Sequence, residues 1–271
     1  MNLDNVDFGD CVSDASFWYP DRLVDHFAWV EHIPFAFWLV GACRPKKFVE
    51  LGTFSGNSFF AFCQAAKALG TGTHLSAVDT WEGDAHVGVY GQDIFADVSK
   101  HCYMNFPDST TLIRNRFDAA RSQFGAGSID LLHIDGLHTY EAVRHDFETW
   151  VETVSVHGIV LFHDTAVRHD DFGVWKLWDE ISERYPSFQF FHGNGLGILG
   201  VGSEIPEPMQ KLFALAPRQA ENVRLIYARL GQSVVDWRAR ATESHKKLMA
   251  IESSRSWKIA DKLSKFARSL M

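Results

Sequence analysis

Residues 48–58 have the sequence FVELGTFSGNS, from which the fold class of the chain can be predicted. A short apolar run contains the acidic Glu50, a turn with two glycines follows, and residues 57–69 have the composition of a helix. This is the strand, tight loop and helix that open an α/β unit, in which ligands bind at the carboxyl end of the strand. Gly52 permits a turn with positive φ, and Gly56 lets a ligand approach the backbone closely.

The spacing of the glycines in this loop distinguishes between classes of bound ligand. Glu-x-Gly-x-x-x-Gly differs from the Gly-x-Gly-x-x-Gly of dinucleotide-binding proteins. It resembles the first motif of the class I S-adenosylmethionine (SAM) methyltransferases, an acidic residue followed by Gly-x-x-x-Gly. The resemblance implies a SAM-binding loop formed by Glu50, Gly52, Thr53, Ser55, Gly56 and Ser58. A glycine-rich turn also occurs in α/β proteins that bind no nucleotide, so the loop by itself leaves both interpretations open.

Strand-like and helix-like segments alternate through the middle of the chain. Alternation of this kind predicts a mostly parallel sheet with helices on both faces. We expect strands near 47–51, 74–79, 110–113, 129–134 and 157–162, and helices near 57–69, 92–105, 140–154 and 173–184. Segments 188–192 and 196–202 flank a tight Gly-Asn-Gly turn and predict an antiparallel hairpin. The predicted fold class is therefore α/β. The resemblance implies a Rossmann-like class I methyltransferase fold, with a seven-stranded, mostly parallel sheet that ends in this hairpin.

Three segments differ in composition. We expect residues 1–45 to be an aromatic-rich helical lead-in, 46–205 the methyltransferase domain, and 206–271 a helical tail. From Arg238 onward the tail has nine Lys/Arg against three Asp/Glu, a local charge of +6 that leaves −14 for the rest of the chain. An acidic catalytic domain argues against a groove for nucleic acid.

Composition and motifs exclude several other classes. Of 271 residues, 46% are hydrophobic and 22% charged, which is typical of a soluble globular enzyme. The sequence has neither an apolar run of the ~20 residues that cross a bilayer nor a secretory signal, so we expect a cytoplasmic protein. Its four cysteines are widely separated, which favours a reducing compartment without structural zinc.

Two further strand ends offer acidic residues for the adenosine of SAM. Asp79 ends the strand at 74–79, where methyltransferases place an acid that accepts hydrogen bonds from the ribose hydroxyls. Trp81 is a planar side chain that could pack on the adenine. Asp118 follows the strand at 110–113, where the family places a polar residue near the adenine amino group. Either carboxylate could instead cap a helix; for Asp79 we favour the ligand role because of its position at a strand's carboxyl end.

Two consecutive strands each end in histidine and aspartate. Residues 132–141 have the sequence LHIDGLHTYE, and residues 158–165 have the sequence GIVLFHDT. Adjacent parallel strands end at the same edge of a sheet, so we expect Asp135 and Asp164 to lie within reach of one cation. Carboxylates suit Mg²⁺ or Mn²⁺, which keep positions open for water or substrate oxygens. Such a cation would lower the pKa of a substrate hydroxyl and align its oxygen with the methyl group.

This second block resembles the metal-dependent sugar and macrolide O-methyltransferases, in which Asp-Gly-x-His-x-Tyr follows the fourth strand. The resemblance implies that Asp135 and Asp164 are metal ligands, and that Asp135 also serves catalysis and cofactor binding. It further implies His138 as the general base and His163 as a candidate third metal ligand. Thr165 stands where catechol-type relatives have an asparagine ligand. The alternative for His138 is a loop histidine that only caps a helix.

The remaining histidines favour other roles. His133 lies inside a strand, where we expect a buried, hydrogen-bonded core group. We expect packing or surface roles for the isolated His145, His157, His169 and His192.

The end of the tail has a motif of its own. Residues 253–263 are similar to the Ser-x-Ser-Trp-Lys/Arg tails of bacterial surface-polysaccharide enzymes. Trp257, Ile259 and Leu263 can line one side of a helix with lysines on its flanks. Such a helix could contact the inner membrane surface peripherally, or pack on its own domain or on a second subunit in a homo-oligomer.

Together these motifs predict a SAM-dependent, divalent-metal-assisted O-methyltransferase with Mg²⁺ or another divalent cation. Its acceptor would be a small molecule or glycan, through a sugar hydroxyl, in surface-polysaccharide or natural-product biosynthesis. The sugar preference follows from the resemblance alone. Two alternatives stay open. The first is a non-haem-iron hydroxylase, because the His/Asp pairs also suit Fe(II), although this leaves the loop at 50–58 without a role. The second is a non-catalytic scaffold with a methyltransferase fold.

Overall fold

A computed structural model describes residues 10–25, 28–84, 88–89 and 91–253. The helices are α1 (Ile33–Cys43), α2 (Asn57–Ala68), α3 (Gln92–Asn105), α4 (Phe117–Arg121), α5 (Tyr140–Trp150), α6 (Val174–Ile181), α7 (Glu207–Phe213) and α8 (Pro217–Ser253). The strands are β1 (Lys47–Leu51), β2 (His74–Asp79), β3 (Gly83–Asp84), β4 (Gly88–Val89), β5 (Thr110–Arg114), β6 (Ile129–Ile134), β7 (Val154–His163), β8 (Ser187–Phe190) and β9 (Leu196–Gly200).

Seven strands form one sheet in the order β5-β2-β1-β6-β7-β9-β8, and β3 pairs with β4 separately. Strands β5, β2, β1, β6 and β7 run parallel, whereas β9 runs antiparallel to both β7 and β8. This order, with β9 as the reversed strand, confirms the predicted class I methyltransferase fold and its antiparallel hairpin.

The register of the central strands positions the site. Leu51 pairs with Ile134, and Ile134 pairs with Phe162. The next residues, Gly52, Asp135 and His163, therefore meet at one edge of the sheet, where the turns after β1, β6 and β7 begin.

Helices cover both faces of this sheet, so its central strands are buried. Every residue of β1 after Lys47 and of β2 after His74 is buried, as expected of parallel strands. In α1, residues 33–40 are all buried, because a helix that is apolar on every side needs protein around it. α1 packs against α2, α7 and α8 and forms one core with them and the sheet.

Helix α8 extends from this core along the lead-in. Tyr227 is fully buried, and its hydroxyl donates a hydrogen bond to the Cys11 carbonyl over 2.7 Å. Gly231 permits a close approach, since a Cβ there would lie 2.3 Å from the Glu31 carbonyl oxygen. Lead-in and tail therefore share packing with the central sheet; the domain boundaries near 45 and 205 stay predictions.

One prediction falls outside the described residues: the amphipathic helix with Trp257 belongs to residues 254–271. The predicted membrane contact and homo-oligomer stay predictions. Among the described residues, no helix is both long and apolar enough to cross a membrane.

Candidate active site

Two adjoining cavities open at the carboxyl edge of the sheet. The large cavity, of about 340 Å³, lies over the start of α2 and the ends of β6 and β7. The small cavity, of about 260 Å³, lies over the end of β2 and the start of α4. Gly52, Phe54, Asp135 and His138 line both cavities, so the two form one crevice.

Most of the site residues predicted from the sequence lie on the walls of this crevice. Those that line the large cavity are Gly52, Thr53, Ser55, Ser58, Asp135, His138, His163 and Asp164. Asp79 lines the small cavity. The sequence motifs therefore converge on one place, although they are separated by more than 100 residues along the chain.

The loop between β1 and α2 takes a left-handed path under both cavities. Gly52, Phe54 and Gly56 have φ values of 88°, 48° and 82°. At Gly52 an added Cβ would lie 2.1 Å from the Asp135 carbonyl oxygen. Only glycine therefore lets this loop pack against the end of β6.

Asp79 holds the same loop in place. Its Oδ2 accepts hydrogen bonds from the amides of Thr53 (2.9 Å) and Phe54 (2.8 Å), and its Oδ1 accepts one from the amide of Trp81 (2.7 Å). Both carboxylate oxygens thus contact backbone donors. Asp79 therefore supports the loop and also lines the small cavity.

Four predicted cofactor residues line neither cavity: Gly56, in the turn before α2, and three residues whose side chains contact other protein groups. Glu50 is fully buried, and its Oε2 lies 2.9 Å from Nδ1 of His133. Trp81 is 1% exposed, and its indole donates to the Phe54 carbonyl, so its ring points into the protein. Asp118 is exposed and pairs with His145 over 2.7 Å. Each of these three side chains is directed at another protein group, and their contact with a cofactor stays a prediction.

His138 lies between the two carboxylates. Its Nε2 is 2.8 Å from Oδ2 of Asp164 and 3.5 Å from Oδ1 of Asp135. Phe172 stacks on the His138 ring at a centroid distance of 4.8 Å, and the amide of Gly173 donates a hydrogen bond to the His138 carbonyl over 2.8 Å. The imidazole therefore has a fixed orientation.

His163 faces the same carboxylates from β7. Its Nδ1 lies 3.3 Å from Oδ1 of Asp135 and 3.4 Å from Oδ2 of Asp164. Its Nε2 lies 3.1 Å from the carbonyl oxygen of Gly193, in the turn between β8 and β9. Asp164 itself has φ of 61°, a strained conformation of the kind that clusters at functional sites.

The four charged groups shift one another's pKa. Burial opposes protonation of His138, but hydrogen bonds to Asp135 and Asp164 outweigh it and raise its pKa to about 9. Burial also opposes protonation of His163, and the same two carboxylates raise its pKa well above the ordinary value. Against burial, the charge of His163 and a hydrogen bond from His138 hold the pKa of Asp135 and of Asp164 below the usual range.

A divalent cation, implied by the family resemblance, fits this donor set. One ligand atom from each of Asp135, His138 and Asp164 lies within 4.8 Å of the others. Oδ1 of Asp164 is buried and has no hydrogen-bond partner among the described residues. Thr165 offers no replacement for an asparagine ligand, because it is buried and its hydroxyl accepts from Gln189 over 3.0 Å.

The structure adds wall residues that sequence motifs did not identify. Trp29, Asn57, Phe172 and Asn194 line the large cavity, and Arg116 and Phe117 line the small one. Asn57 directly follows the glycine loop, so its position in the sequence was a usable signal. Trp29 had no such signal, because it reaches the site from the lead-in through long-range packing.

Comparison with known proteins agrees with this fold. A family model described as a methyltransferase domain matches residues 49–165. An uncharacterized protein of Sinorhizobium fredii is 46% identical over 189 residues, which cover 69% of this chain and 20% of that protein. The chain thus spans about a fifth of the length of this relative.

Solved structures with similar folds include three methyltransferases. A Podospora anserina enzyme bound to S-adenosylhomocysteine (SAH) has 16% identity and a TM-score of 0.47 over 67% of this chain and 88% of its own. A Geobacter sulfurreducens enzyme has 15% identity and a TM-score of 0.48 over 66% and 79%. TomG of Streptomyces achromogenes is an O-methyltransferase of tomaymycin synthesis, solved in complex with SAM. It has 13% identity and a TM-score of 0.47 over 67% of this chain and 83% of its own.

The strand order of the sheet and the family match lead to the same assignment. Both place the glycine loop, Asp79, Asp135 and Asp164 in one α/β unit. Residues 49–165 match the methyltransferase-domain model, and the sheet that contains them has the strand order of the class I methyltransferase fold.

Proposed function

We propose that the protein is a SAM-dependent O-methyltransferase whose crevice holds the sulfonium cofactor beside an acceptor hydroxyl. One observation carries the proposal: the glycine loop after β1, Asp79 after β2 and the pair Asp135–His138 after β6 line a single crevice. Methyl transfer needs a bound sulfonium, an aligned oxygen and a base, and this crevice has residues suited to each of the three.

The two cavities suit the two ends of the cofactor. In the small cavity Phe117 offers a ring for the adenine, and Asp79 faces the position of the ribose. In the large cavity Asn57 and Ser58 begin α2, so the positive end of a helix faces the position of the methionine carboxylate. The Thr53 hydroxyl is buried and has no partner within the described part of the chain, which leaves it available to a ligand.

His138 is the proposed base. The acceptor oxygen attacks the methyl carbon, a C–O bond forms as the S–C bond breaks, and the hydroxyl proton passes to Nε2 of His138. This step requires Nε2 without its own proton, whereas the ion pairs with Asp135 and Asp164 raise its pKa to about 9. Neutralising these two carboxylates would bring that pKa back toward the working pH, where a base is most effective.

Asp135 and Asp164, with a histidine, would hold a divalent cation in the same crevice. When bound, such a cation supplies positive charge that neutralises the carboxylates and lowers the pKa of a substrate hydroxyl. The buried, unpartnered Oδ1 of Asp164 supports this part of the proposal.

The proposed acceptor is a hydroxyl of a sugar or glycan in surface-polysaccharide or natural-product biosynthesis. Its support is the resemblance of residues 132–141 to the sugar and macrolide O-methyltransferases. The large cavity adds aromatic side chains, Trp29 and Phe172, next to the proposed base. Aromatic walls of this kind can pack against the apolar face of a ring-shaped acceptor.

Calorimetric titration with SAH and SAM tests the function. We expect a single site with a dissociation constant on the order of micromolar. Turnover is then measured as SAH release with a panel of sugars, nucleotide sugars and catechols. Absence of binding would favour the non-catalytic scaffold, and turnover that depends on oxygen and a reductant would favour the hydroxylase.

A further inference from the structure

The His163 ring has a fixed orientation, with one of its nitrogens directed at the two carboxylates. Its Nε2 lies 3.1 Å from the carbonyl oxygen of Gly193. A carbonyl oxygen only accepts, so Nε2 carries the hydrogen of this bond. The other ring nitrogen, Nδ1, is then the atom that faces Asp135 and Asp164, at 3.3 and 3.4 Å.

The turn between β8 and β9 fixes the Gly193 carbonyl. Gly193, Asn194 and Gly195 have φ values of 54°, 68° and 92°. The Asn194 carbonyl accepts from the amide of Ala166 over 2.8 Å, and a Cβ on Gly195 would lie 2.6 Å from the same nitrogen. Nε2 of His32 is a second donor to the Gly193 carbonyl, at 2.9 Å. The orientation of His163 is therefore built into the backbone of the hairpin.

This arrangement is the one that proteins use for histidine ligands of metals. The second ring nitrogen of such a ligand donates to a carbonyl or carboxylate, which fixes the tautomer and the ring. Separations of 3.3 and 3.4 Å between Nδ1 and the carboxylate oxygens match donor atoms that each lie about 2.1 Å from one ion. Asp164 is 5% exposed, and its second oxygen lacks a partner among the described residues.

We propose that the cation of this site is a first-row transition-metal ion, held by Asp135, Asp164 and Nδ1 of His163 in preference to Mg²⁺. Mg²⁺ favours shells made only of oxygen, whereas an imidazole nitrogen strengthens binding of ions such as Co²⁺, Fe²⁺ and Zn²⁺. The inference rests on the proposed function, because it names the class of cation at the same site. It leaves His138 as the proposed base, with Nε2 beside Asp164 and Asp135.

Calorimetry on protein without a polyhistidine tag, after treatment with chelator, provides the test. Co²⁺, Zn²⁺, Mn²⁺ and Mg²⁺ are titrated separately, without SAM. We expect one Co²⁺ per chain, bound at least about 100-fold more tightly than Mg²⁺, with visible absorption bands from a shell that contains nitrogen. Equal affinity for Mg²⁺ and Co²⁺ would overturn the proposal.

Two substitutions at His163 sharpen the test. His163→Gln should lower the Co²⁺ affinity at least about tenfold. His163→Asp should replace the nitrogen ligand with an oxygen ligand and shift the preference toward Mg²⁺. His169→Gln is the matched control, because His169 lines the same cavity but pairs with Asp170 over 2.8 Å. Thermal unfolding of each variant confirms that it is folded. Unchanged Co²⁺ affinity in folded His163 variants would contradict the assignment.

Titration with SAH separates failure of this inference from failure of the proposed function. SAH binding without any preference for Co²⁺ would overturn only the choice of cation. Co²⁺ binding that depends on His163, in a protein that does not bind SAH, would support the metal site and overturn the methyltransferase.

Discussion

The indole nitrogen of Trp29 lies 3.2 Å from Nε2 of His133, deep beneath the large cavity. An indole nitrogen only donates, so Nε2 of His133 accepts, and its Nδ1 carries the hydrogen donated to Glu50 over 2.9 Å. His133 and Glu50 are both fully buried. Glu50 therefore acts on the crevice through His133, by fixing the orientation of Trp29 in the cavity wall.

Replacing Trp29 with phenylalanine should destabilise the protein, because it removes the hydrogen bond to His133. The variant keeps an aromatic ring but leaves the buried Nε2 of His133 without a donor, so we expect the free energy of unfolding to fall by about 1–3 kcal/mol. Urea denaturation measures it. Trp237→Phe, at a tryptophan that is 37% exposed, should stay within about 0.5 kcal/mol of the parent. Equal effects of the two substitutions would contradict the assignment.

Gly52→Ala should disrupt the loop more than a matched change elsewhere. An alanine Cβ at Gly52 would overlap the Asp135 carbonyl oxygen, at 2.1 Å, in addition to the unfavourable φ of 88°. Gly70 also has positive φ, 57°, but open space around it, so Gly70→Ala should reflect backbone strain alone, about 1–2 kcal/mol. We expect Gly52→Ala to exceed this loss and to abolish SAH binding. A loss no larger than that of Gly70→Ala would argue against the close packing.

Gly231→Ala should destabilise the protein although it lies in a helix. Alanine normally stabilises a helix interior by about 1 kcal/mol relative to glycine. At Gly231 the added Cβ would lie 2.3 Å from the Glu31 carbonyl oxygen and push α8 away from the lead-in. The sign of the change in melting temperature is therefore the readout. Ser233→Ala, at an exposed position of α8, serves as the control and should leave the melting temperature nearly unchanged.

Asp146 should make stability depend on pH. Burial raises its pKa to about 7. The charge of His145 opposes this shift, and the charge of Asp118 makes a smaller contribution in the same direction as burial. The folded state therefore binds a proton more tightly than the unfolded state, and this stabilisation is fully present below about pH 4. It is lost as the pH rises toward 7, by an amount on the order of 1 kcal/mol or more. Asp146→Asn should flatten this part of the curve of unfolding free energy against pH.

Asp164→Asn should remove turnover while the cofactor still binds. Asp164 lines the large cavity and contacts both histidines of the site, but it does not line the small cavity proposed for adenosine. We expect kcat to fall at least about 100-fold, with SAH affinity within a few-fold of the parent. Asp170→Asn, at an exposed residue beside the cavity, is the control. Full activity of Asp164→Asn in the presence of chelator would contradict the proposed mechanism.

Several elements were predictable because their signals are local. Strands β1, β2 and β6 have the bounds expected from their apolar runs, since each run is interrupted by a glycine or an aspartate at its end. The glycine loop was predictable for the same reason. By contrast, α4 was missed because five residues are too few for a helical pattern. Strand β7 begins at Val154, earlier than the predicted 157, because Val154 pairs with Ile129 before an irregularity in the β6–β7 register.

The residues at the carboxyl ends of the strands could be identified without coordinates, and with them the α/β class and the placement of Asp79, Asp135, His138 and Asp164 at one edge. Hydrophobic pattern and glycine spacing depend on neighbours along the chain, so they can be recognised without coordinates. The contacts of those residues, by contrast, became known from the folded structure. The bond between Trp29 and His133 joins positions 104 residues apart, and that between His163 and Gly193 joins positions 30 apart. Such partners follow from strand register and helix packing, which no local pattern encodes.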